Sequence, residues 1–412
     1  MKSKGQQKDR SALAMPLLKI LGSIFGLMHF ILLLRNSNLT EMAFLGLTMS
    51  VMIFFTAVLD FGGRALIPIQ LKIHNYNSVR ANLVLNWFSG LLLFFIGLST
   101  VFFLQTNSKI LVALIFVVVW LSIEKIVEPI VGLTVATGDL RTLSISISLR
   151  KLLPFAAFVI LSTTTFDPFL AYSICLSVGT FVSLIHATLW VKKQDLLETP
   201  RLKVAWDELI TKRNWTVQNV FAQINSLDVY LLRAFTNISV VGEYTSIQRL
   251  FSPMTNVLES FLSNFRVALI TWGPKKARRF ASISYLIASV TFVIFLICTV
   301  FVEDLLPLIF AEVFPNMKSF FIVLFIIAPF QLLSQLYNSF LISLKKEEFL
   351  VQLTVLSGPL SIILGCLAGF LFSAIGVISG MMSIHLFSSL IKYLKIINTL
   401  SDNQKVSSQS WN

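Results

Sequence analysis

The sequence predicts an all-α integral membrane protein with about twelve transmembrane helices. Of its 412 residues, 56% are hydrophobic and only 13% are charged, whereas soluble proteins have about 25% charged residues. The apolar stretches are also unbroken, as between Leu111 and Leu121, while strands of a membrane barrel alternate apolar and polar residues. Because lipid offers the backbone no hydrogen bonds, only helices fit this pattern.

The apolar runs divide the chain into candidate spans of roughly 20 residues, the length needed to cross a bilayer. The first run follows a basic N-terminal stretch and is longer than a signal-peptide core, so we interpret it as an uncleaved span. The predicted spans are 12–34, 41–63, 81–104, 110–135, 142–163, 168–190, 214–235, 241–265, 281–302, 317–343, 350–371 and 375–397.

The positive charges predict the orientation of these spans. On this assignment 27 Lys and Arg residues lie on one side of the membrane and 4 on the other, with Lys125 and Arg249 inside spans. Cytoplasmic loops carry the excess of Lys and Arg in membrane proteins. Both termini are therefore predicted to be cytoplasmic, and the net charge of +13 reflects topology rather than a nucleic-acid partner.

The domain organisation is predicted to be two six-helix lobes. A cytoplasmic linker, 191–213, separates an N-lobe (1–190) from a C-lobe (214–397), and a cytoplasmic tail follows (398–412). Each half begins inside, so a repeat would be parallel, related by a pseudo-two-fold axis along the membrane normal. Similar polar landmarks enter spans 2 and 8, Asn38-Leu-Thr and Asn237-Ile-Ser. The linker is expected to contain an interfacial helix, and the segment Leu305 to Phe314 is too short for another span.

Motifs of catalytic chemistry are missing from the sequence. It contains no Walker P-loop, no H-E-x-x-H and no nucleophile elbow, and its three cysteines lack metal or disulfide spacing. These observations predict a transporter rather than an enzyme, with no metal and no cofactor. Uphill transport without an ATP site would use an H⁺ or Na⁺ gradient or the membrane potential.

A run in the second half resembles a known family. Asn225-Ser-Leu-Asp228-Val-Tyr-Leu-Leu is followed by Val241-Gly-Glu-Tyr244, and Leu59-Asp60-Phe61-Gly62 ends span 2. These motifs resemble those of the O-antigen (Wzx-type) flippases, the polysaccharide-export branch of the multidrug/oligosaccharidyl-lipid/polysaccharide (MOP) superfamily. Span 2 departs from the pattern, since Gly46 is not followed by a Tyr.

The resemblance implies a MATE/MOP-like fold in a bacterial cytoplasmic (inner) membrane. It also implies a substrate, an undecaprenyl-diphosphate-linked oligosaccharide moved across the membrane by alternating access. Polysaccharide polymerase and chain-length proteins would be partners, together with membrane lipids. Two alternatives stay open: an ion-coupled multidrug or small-solute antiporter of the same superfamily, and a membrane glycosyltransferase or polymerase, which usually has a large outer loop or soluble domain that this chain lacks.

Ionisable residues inside spans are the candidate functional residues, since they are costly in a bilayer. In span 4, Glu124 and Glu128 are four residues apart and share a helix face, and Lys125 is three residues before Glu128. Either the lysine neutralises the two carboxylates, or the three line a cavity as a proton or cation site.

The hairpin of spans 7 and 8 carries four further candidates. Reflection about its turn places Asp228 opposite Arg249 and Arg233 close to Glu243. These are either structural ion pairs or a functional site. In the functional interpretation Arg249 is a cavity cation that binds a diphosphate through its planar fork, and Asp228 releases the diphosphate or couples to an ion.

The other candidates lie in the first half or at span ends. His29 is either a satisfied interior histidine or a proton-coupling site, and His385 is treated as a packing residue. The basic residues are either membrane anchors that reach the cytoplasmic face or a mouth that collects a diphosphate: Arg64, Arg150, Lys151 and Arg266.

Overall fold

The computed structural model describes residues 2–60, 67, 70–71, 75–104, 106–196, 202–211, 213–251, 274–344 and 346–409. Within these residues the secondary structure is entirely helical, as predicted. Nine helices in the described part are long and apolar enough to cross a membrane. By its contacts the chain separates into two compact units, residues 1–230 and 231–412.

The first unit contains six long predicted spans, whose positions agree with the sequence analysis. Its helices are α1 (Lys2–Asn36), α2 (Leu39–Val58), α3 (Tyr76–Phe103), α4 (Ser108–Thr137), α5 (Leu140–Ile147), α6 (Leu153–Leu161) and α7 (Pro168–Lys193). A π-helical turn, Ser148–Leu152, joins α5 to α6, so that the two form one span.

Side-chain caps fix where these helices begin. Asn38 and Glu41 form a reciprocal capping box at α2, and this satisfies backbone N–H groups that have no partner within the helix. Single caps begin four other helices, where the N-cap side chain accepts a hydrogen bond from the backbone N–H three residues later: Asn75 at α3, Asn107 at α4, Asp139 at α5 and Asp167 at α7.

Asp139 also ties two spans together at one end of the first unit. Its carboxylate accepts hydrogen bonds from the Thr142 backbone and hydroxyl and from Trp190 Nε1 of α7, the last at 2.8 Å. Burial by itself would raise the pKa of Asp139, but the hydrogen bonds outweigh it and lower the pKa.

Helix α4 is central in the first unit and packs against α2, α3, α5 and α7. Gly90 of α3 allows one of these close approaches, since a Cβ there would lie 2.4 Å from Ile126 of α4. The outer faces of α3 expose large apolar side chains such as Phe88 and Phe103. In a spanning helix those faces are suited to lipid.

The segment after α7 continues as short helices: α8 (Leu202–Thr211), α9 (Arg213–Ala222) and α10 (Asp228–Phe235). Helix α8 lies in the predicted linker, packs against α3 and exposes Trp206 and Ile210. Predicted span 7 is thus a broken helix, since a 3₁₀ turn, Ile224–Leu227, separates α9 from α10.

The contact-based division falls inside α10, and α9 packs against α2. The residues 213–230, which the sequence analysis placed in the C-lobe, therefore pack with the first unit.

The second unit contains α11 (238–251), α12 (Pro274–Cys298), α13 (Val302–Ile309), α14 (Met317–Ser343) and α15 (Glu347–Gln409). Predicted span 8 lies in α11 up to residue 251, and its remainder is outside the described residues. Helices α12, α14 and α15 pack around an apolar core that includes Tyr337, Phe340 and Ile396. Helix α13, at the predicted short outer segment, buries Val302 and Leu306 and is only 8 residues long.

Helix α15 comprises predicted spans 11 and 12. Its 63 residues would extend about 95 Å as a straight helix, roughly three times the hydrocarbon core of a bilayer. Non-helical dihedral angles at Phe372 and Ser373 break it, close to the predicted boundary between the two spans.

Two G-x-x-x-G motifs hold the halves of α15 together. A Cβ at Gly376 would lie 2.0 Å from the Ala368 carbonyl oxygen, and one at Gly380 would lie 2.4 Å from that of Leu364. Gly365 and Gly369 provide the facing motif. Small residues allow such close backbone packing between transmembrane helices.

Candidate functional site

A cluster of buried charges lies inside the first unit, and Arg150 is at its centre. One guanidinium nitrogen, Nη1, donates to Glu124 at 2.9 Å and to Glu128 at 2.8 Å. Lys151 lies 3.9 Å from the same Glu124 oxygen. Arg150 is 5% exposed, so its guanidinium lies against carboxylates inside the unit, and its place at the cytoplasmic face stays a prediction. Because both glutamates lie one turn apart on α4, a single arginine can bridge them.

Lys125 has a different partner from the one predicted. Its Nζ lies 3.2 Å from Asp60 Oδ1, just beyond the end of α2, and the lysine is 6% exposed. The prediction that Lys125 neutralises Glu124 and Glu128 is therefore corrected, since Arg150 has that role. Asp60 also accepts a hydrogen bond at its backbone oxygen from Asn219 of α9, at 3.4 Å.

The π-helical turn explains how Arg150 reaches both carboxylates. Pro154 has no N–H for the carbonyl four residues earlier, which is that of Arg150, and a helix loosens at such a position. Gly179 of α7 makes room for the wide turn, since a Cβ there would lie 2.5 Å from the Leu149 oxygen. π-helical turns are frequent at functional sites.

His29 lies in an aromatic box in the same unit. Its ring centroid is 4.5 Å from that of Tyr172, 4.8 Å from Phe158 and 6.5 Å from Phe155. It is 2% exposed, and Nε2 has no hydrogen-bond partner among the described residues. Of the two sequence interpretations, a fully satisfied interior histidine fits this environment less well, and Lys151 lies within its electrostatic reach.

Among the described residues, the charged cluster holds equal numbers of acidic and basic side chains. Three carboxylates, from Asp60, Glu124 and Glu128, contact two buried cations, and Lys151 is the third cation nearby. Charged side chains inside a span are costly unless they are paired. The cluster therefore offers both carboxylates and cations inside the first unit.

Two candidate residues, Asp228 and Arg249, lie in the hairpin of spans 7 and 8. Asp228 is fully buried at the first turn of α10 and accepts a hydrogen bond from the Val229 N–H at 2.8 Å. Since the N-terminus of a helix favours negative charge, the break in span 7 gives this carboxylate a favourable position. Arg249 is half-buried near residue 251, and its pairing with Asp228 stays a prediction.

The predicted pair of Arg233 and Glu243 is replaced by two separate contacts. Arg233 is exposed and donates to the Thr236 oxygen at 3.0 Å. Glu243 is buried and accepts from the Asn316 backbone N–H at 2.8 Å, at the start of α14. The reflection rule failed here because the arginine turns back onto the hairpin while the glutamate caps another helix.

Arg64 and Arg266, the two remaining candidates, lie outside the described residues. Two charged residues beyond the predicted candidates stand out in the structure. Asp60 belongs to the Leu59-Asp60-Phe61-Gly62 motif, and an acidic residue near the end of predicted span 2 is the signal that marks it. Lys392 lies inside predicted span 12, where a charge within an apolar run is the signal.

Comparisons with known proteins identify the fold. No protein-family model and no curated protein sequence matches the chain. Among solved structures, an inward-facing multidrug resistance MATE family transporter of the MOP superfamily superimposes with a TM-score of 0.69 at 14% identity, covering 96% of this chain and 99% of that one. The chain has the fold of a MATE transporter.

Two further structures agree with this. An outward-facing MATE family transporter of the MOP superfamily matches with a TM-score of 0.65 at 12% identity, covering 95% of this chain and 96% of the other. A MOP superfamily transporter from Pyrococcus furiosus, described as having reverse polarity of its binding pocket, matches with a TM-score of 0.61 at 11% identity and 95% coverage of both chains. The MATE/MOP-like fold predicted from the sequence is confirmed.

Proposed function

We propose that this protein is a membrane transporter that flips an undecaprenyl-diphosphate-linked oligosaccharide from the cytoplasmic to the outer leaflet of a bacterial inner membrane. The observation that carries the proposal is the V-G-E-Y run at the start of α11, on a fold shared with MOP superfamily transporters. Tyr244 is fully buried and packs edge-on against Phe320 of α14, with ring centroids 5.3 Å apart. Together with the Glu243 cap, this run packs α11 against α14.

The charged cluster supplies the polar surface that the proposal needs. A sugar and a diphosphate cannot cross hydrocarbon unaided, because unsatisfied polar groups there cost several kcal/mol each. Arg150 and Lys125 can bind phosphate oxygens when a carboxylate partner is released or protonated. The lipid tail stays in the bilayer, beside the exposed apolar faces of helices such as α3.

A cation antiporter is the second candidate, and one observation favours it. The described cluster of the first unit is balanced rather than cationic, with Asp60, Glu124 and Glu128 available to a cation. A multidrug substrate would bind the carboxylates, whereas a diphosphate would bind the arginine and lysine. The two candidates thus predict opposite effects of neutralising each sign of charge.

The experiment is transport by purified protein in liposomes, with two substrates measured in parallel. One is a fluorescent polyprenyl-diphosphate oligosaccharide whose arrival in the other leaflet is detected by a membrane-impermeant quencher. The other is a lipophilic cation moved against an imposed ion gradient. Movement of the first and not the second supports the flippase; the reverse result overturns it in favour of the antiporter.

A further inference from the structure

Lys392 is a buried cation of the second unit and does not belong to the charged cluster of the first unit. It lies in the second half of α15 and is 5% exposed. Its Nζ donates a hydrogen bond to Ser334 Oγ of α14 at 2.6 Å. An ionisable residue buried inside a span is retained at a cost, so it calls for a functional explanation.

The partner of Lys392 differs in kind from the partners of the other buried cations. Lys125 and Arg150 of the first unit each contact a carboxylate. Within the described residues, no ion pair joins Lys392 to a carboxylate, and its hydrogen bond goes to a neutral hydroxyl. A carboxylate would hold the ammonium form, whereas burial beside a neutral group disfavours it.

A serine hydroxyl fits both forms of the amine. It accepts a hydrogen bond from the ammonium and can donate one to the lone pair of the neutral amine, because it has one O–H and two acceptor lone pairs. The contact between Ser334 and Lys392 can therefore persist while the proton comes and goes. No other rearrangement of packing is required.

The groups around Lys392 disfavour a second positive charge beside it. His385 lies two turns earlier on the same face of α15 and within electrostatic reach of Lys392. Two like charges in that neighbourhood disfavour each other. Among the described residues, the adjacent Tyr393 stacks on Tyr285 of α12 and Tyr337 of α14, and these tyrosines have no charge when protonated.

We propose that Lys392 is a proton-binding site of the second unit, with the Ser334 hydroxyl as its hydrogen-bond partner in both states and His385 as the neighbouring nitrogen. The ammonium releases its proton to water and the neutral amine takes one up, so the reaction is a simple, reversible protonation. The site itself does not depend on which substrate is carried. Its further role, coupling transport to a proton gradient, rests on the proposed function.

The first experiment observes the proton directly. Full-length protein with ¹⁵N-labelled lysines is purified in detergent, and the side-chain Nζ signals are followed across the pH range in which it stays folded. Lys392→Met identifies the signal by its loss. We expect this signal to change from ammonium to amine within the range. The signal of Lys395, a less buried lysine one turn away over the Phe349 ring, should remain present in Lys392→Met. A Lys392 signal that stays ammonium throughout overturns the proposal.

A second variant tests the proposal if Lys392→Met folds poorly. Ser334→Ala should move the pH at which the Lys392 signal changes, because the charged ammonium loses a stronger hydrogen bond than the neutral amine does. Ser343→Ala on the same helix is the control, since that hydroxyl bonds the Phe340 carbonyl of its own helix. Equal behaviour of the two serine variants contradicts the role of Ser334.

The coupling role is tested separately in liposomes. Wild-type transport should be faster with a pH gradient than without one, and Lys392→Met and Lys392→Arg should lose that difference. Variants that keep the full response to the gradient overturn the coupling role. If the wild type moves no lipid-linked oligosaccharide, the proposed function fails, and the titration of Lys392 still decides the proton site.

Discussion

Arg150 Nη1 lies 2.8 Å from Glu128 Oε1 in the interior of the first unit. Glu128 belongs to α4, and Arg150 belongs to the next span along the chain. The same nitrogen also contacts Glu124, so one buried cation contacts two half-buried carboxylates. The π-helical turn that carries Arg150 is the local irregularity that makes this contact. These ion pairs join α4 to the α5–α6 span.

Replacing Arg150 with Met should destabilise the protein strongly. The substitution leaves two half-buried carboxylates without their cation, and breaking a buried ion pair from one side costs up to about 3–5 kcal/mol. We expect a lower thermal unfolding midpoint in detergent and lower abundance in the membrane. The matched control is Lys151→Met, whose amine lies at the longer distance of 3.9 Å and is partly exposed.

A rescue experiment separates this explanation from a simple loss of packing. The triple variant Arg150→Met, Glu124→Gln, Glu128→Gln removes the stranded charges. It should recover most of the lost stability. If the triple variant is as unstable as Arg150→Met alone, the ion pairs are not what holds the helices together.

The pair of Lys125 and Asp60 gives a second prediction, on coupling between two sites. Lys125→Met should cost more stability than the double variant Lys125→Met, Asp60→Asn, because the single change leaves a half-buried carboxylate uncompensated. The measurement is a double-mutant cycle on thermal unfolding. Additive effects of the two substitutions would show that the 3.2 Å contact contributes no coupling.

The lengths of the unbroken apolar runs predicted the long spans of the first unit well. Capping residues such as Asn38 and Asp139 begin helices close to the predicted limits. The run lengths also predicted span 7 as one helix, since the 3₁₀ turn before Asp228 has no proline or glycine to signal it. The break in α15 at Ser373 fell close to the predicted span boundary.

Partners of charges were harder to predict than spans. Spacing along one helix grouped Lys125 with Glu124 and Glu128, but those contacts depend on how neighbouring helices are rotated, which sequence alone does not fix. The reflection rule for Arg233 and Glu243 failed for the same reason. By contrast, the facing G-x-x-x-G motifs that begin at Gly365 and Gly376 are visible in the sequence itself, because they depend on spacing within one helix and not on helix rotation.

Close packing in α15 predicts that Gly376→Ala is destabilising. The added methyl group would lie 2.0 Å from the Ala368 oxygen, so the two halves of the hairpin must separate, at a cost of about 1–3 kcal/mol for overpacking. Thermal unfolding and resistance to proteolysis measure the effect.

Gly26→Ala is the matched control for that substitution. Gly26 is also helical, but a Cβ there would lie 3.9 Å from the nearest side chain, that of Lys151. Alanine should therefore be neutral or stabilise the helix by up to about 1 kcal/mol. Equal losses at Gly26 and Gly376 would mean that backbone packing is not the cause.

The cap that Glu243 provides for α14 predicts a moderate structural effect. Glu243→Ala removes the acceptor of the Asn316 N–H and the negative charge at a helix N-terminus, each worth about 1 kcal/mol. Glu243→Gln keeps an acceptor oxygen and should lose less. Unfolding midpoints of the two variants check this order, and an equal loss for both would indicate that the carboxylate's charge alone matters.

Arg249 provides the prediction that bears most directly on function. If its guanidinium binds the diphosphate, Arg249→Ala removes a charge-assisted hydrogen bond worth about 1.5–3 kcal/mol, which is a loss of roughly 10- to 150-fold in transport at limiting substrate. Arg233→Ala is the control, because that exposed side chain contacts the Thr236 oxygen of its own hairpin, and transport should stay within about two-fold. Both variants are compared in liposomes at equal amounts of folded protein, so that a stability effect cannot imitate a transport effect. Wild-type transport by Arg249→Ala would remove this arginine from the substrate site and leave the cations of the first unit, Lys125 and Arg150, as the phosphate-binding groups.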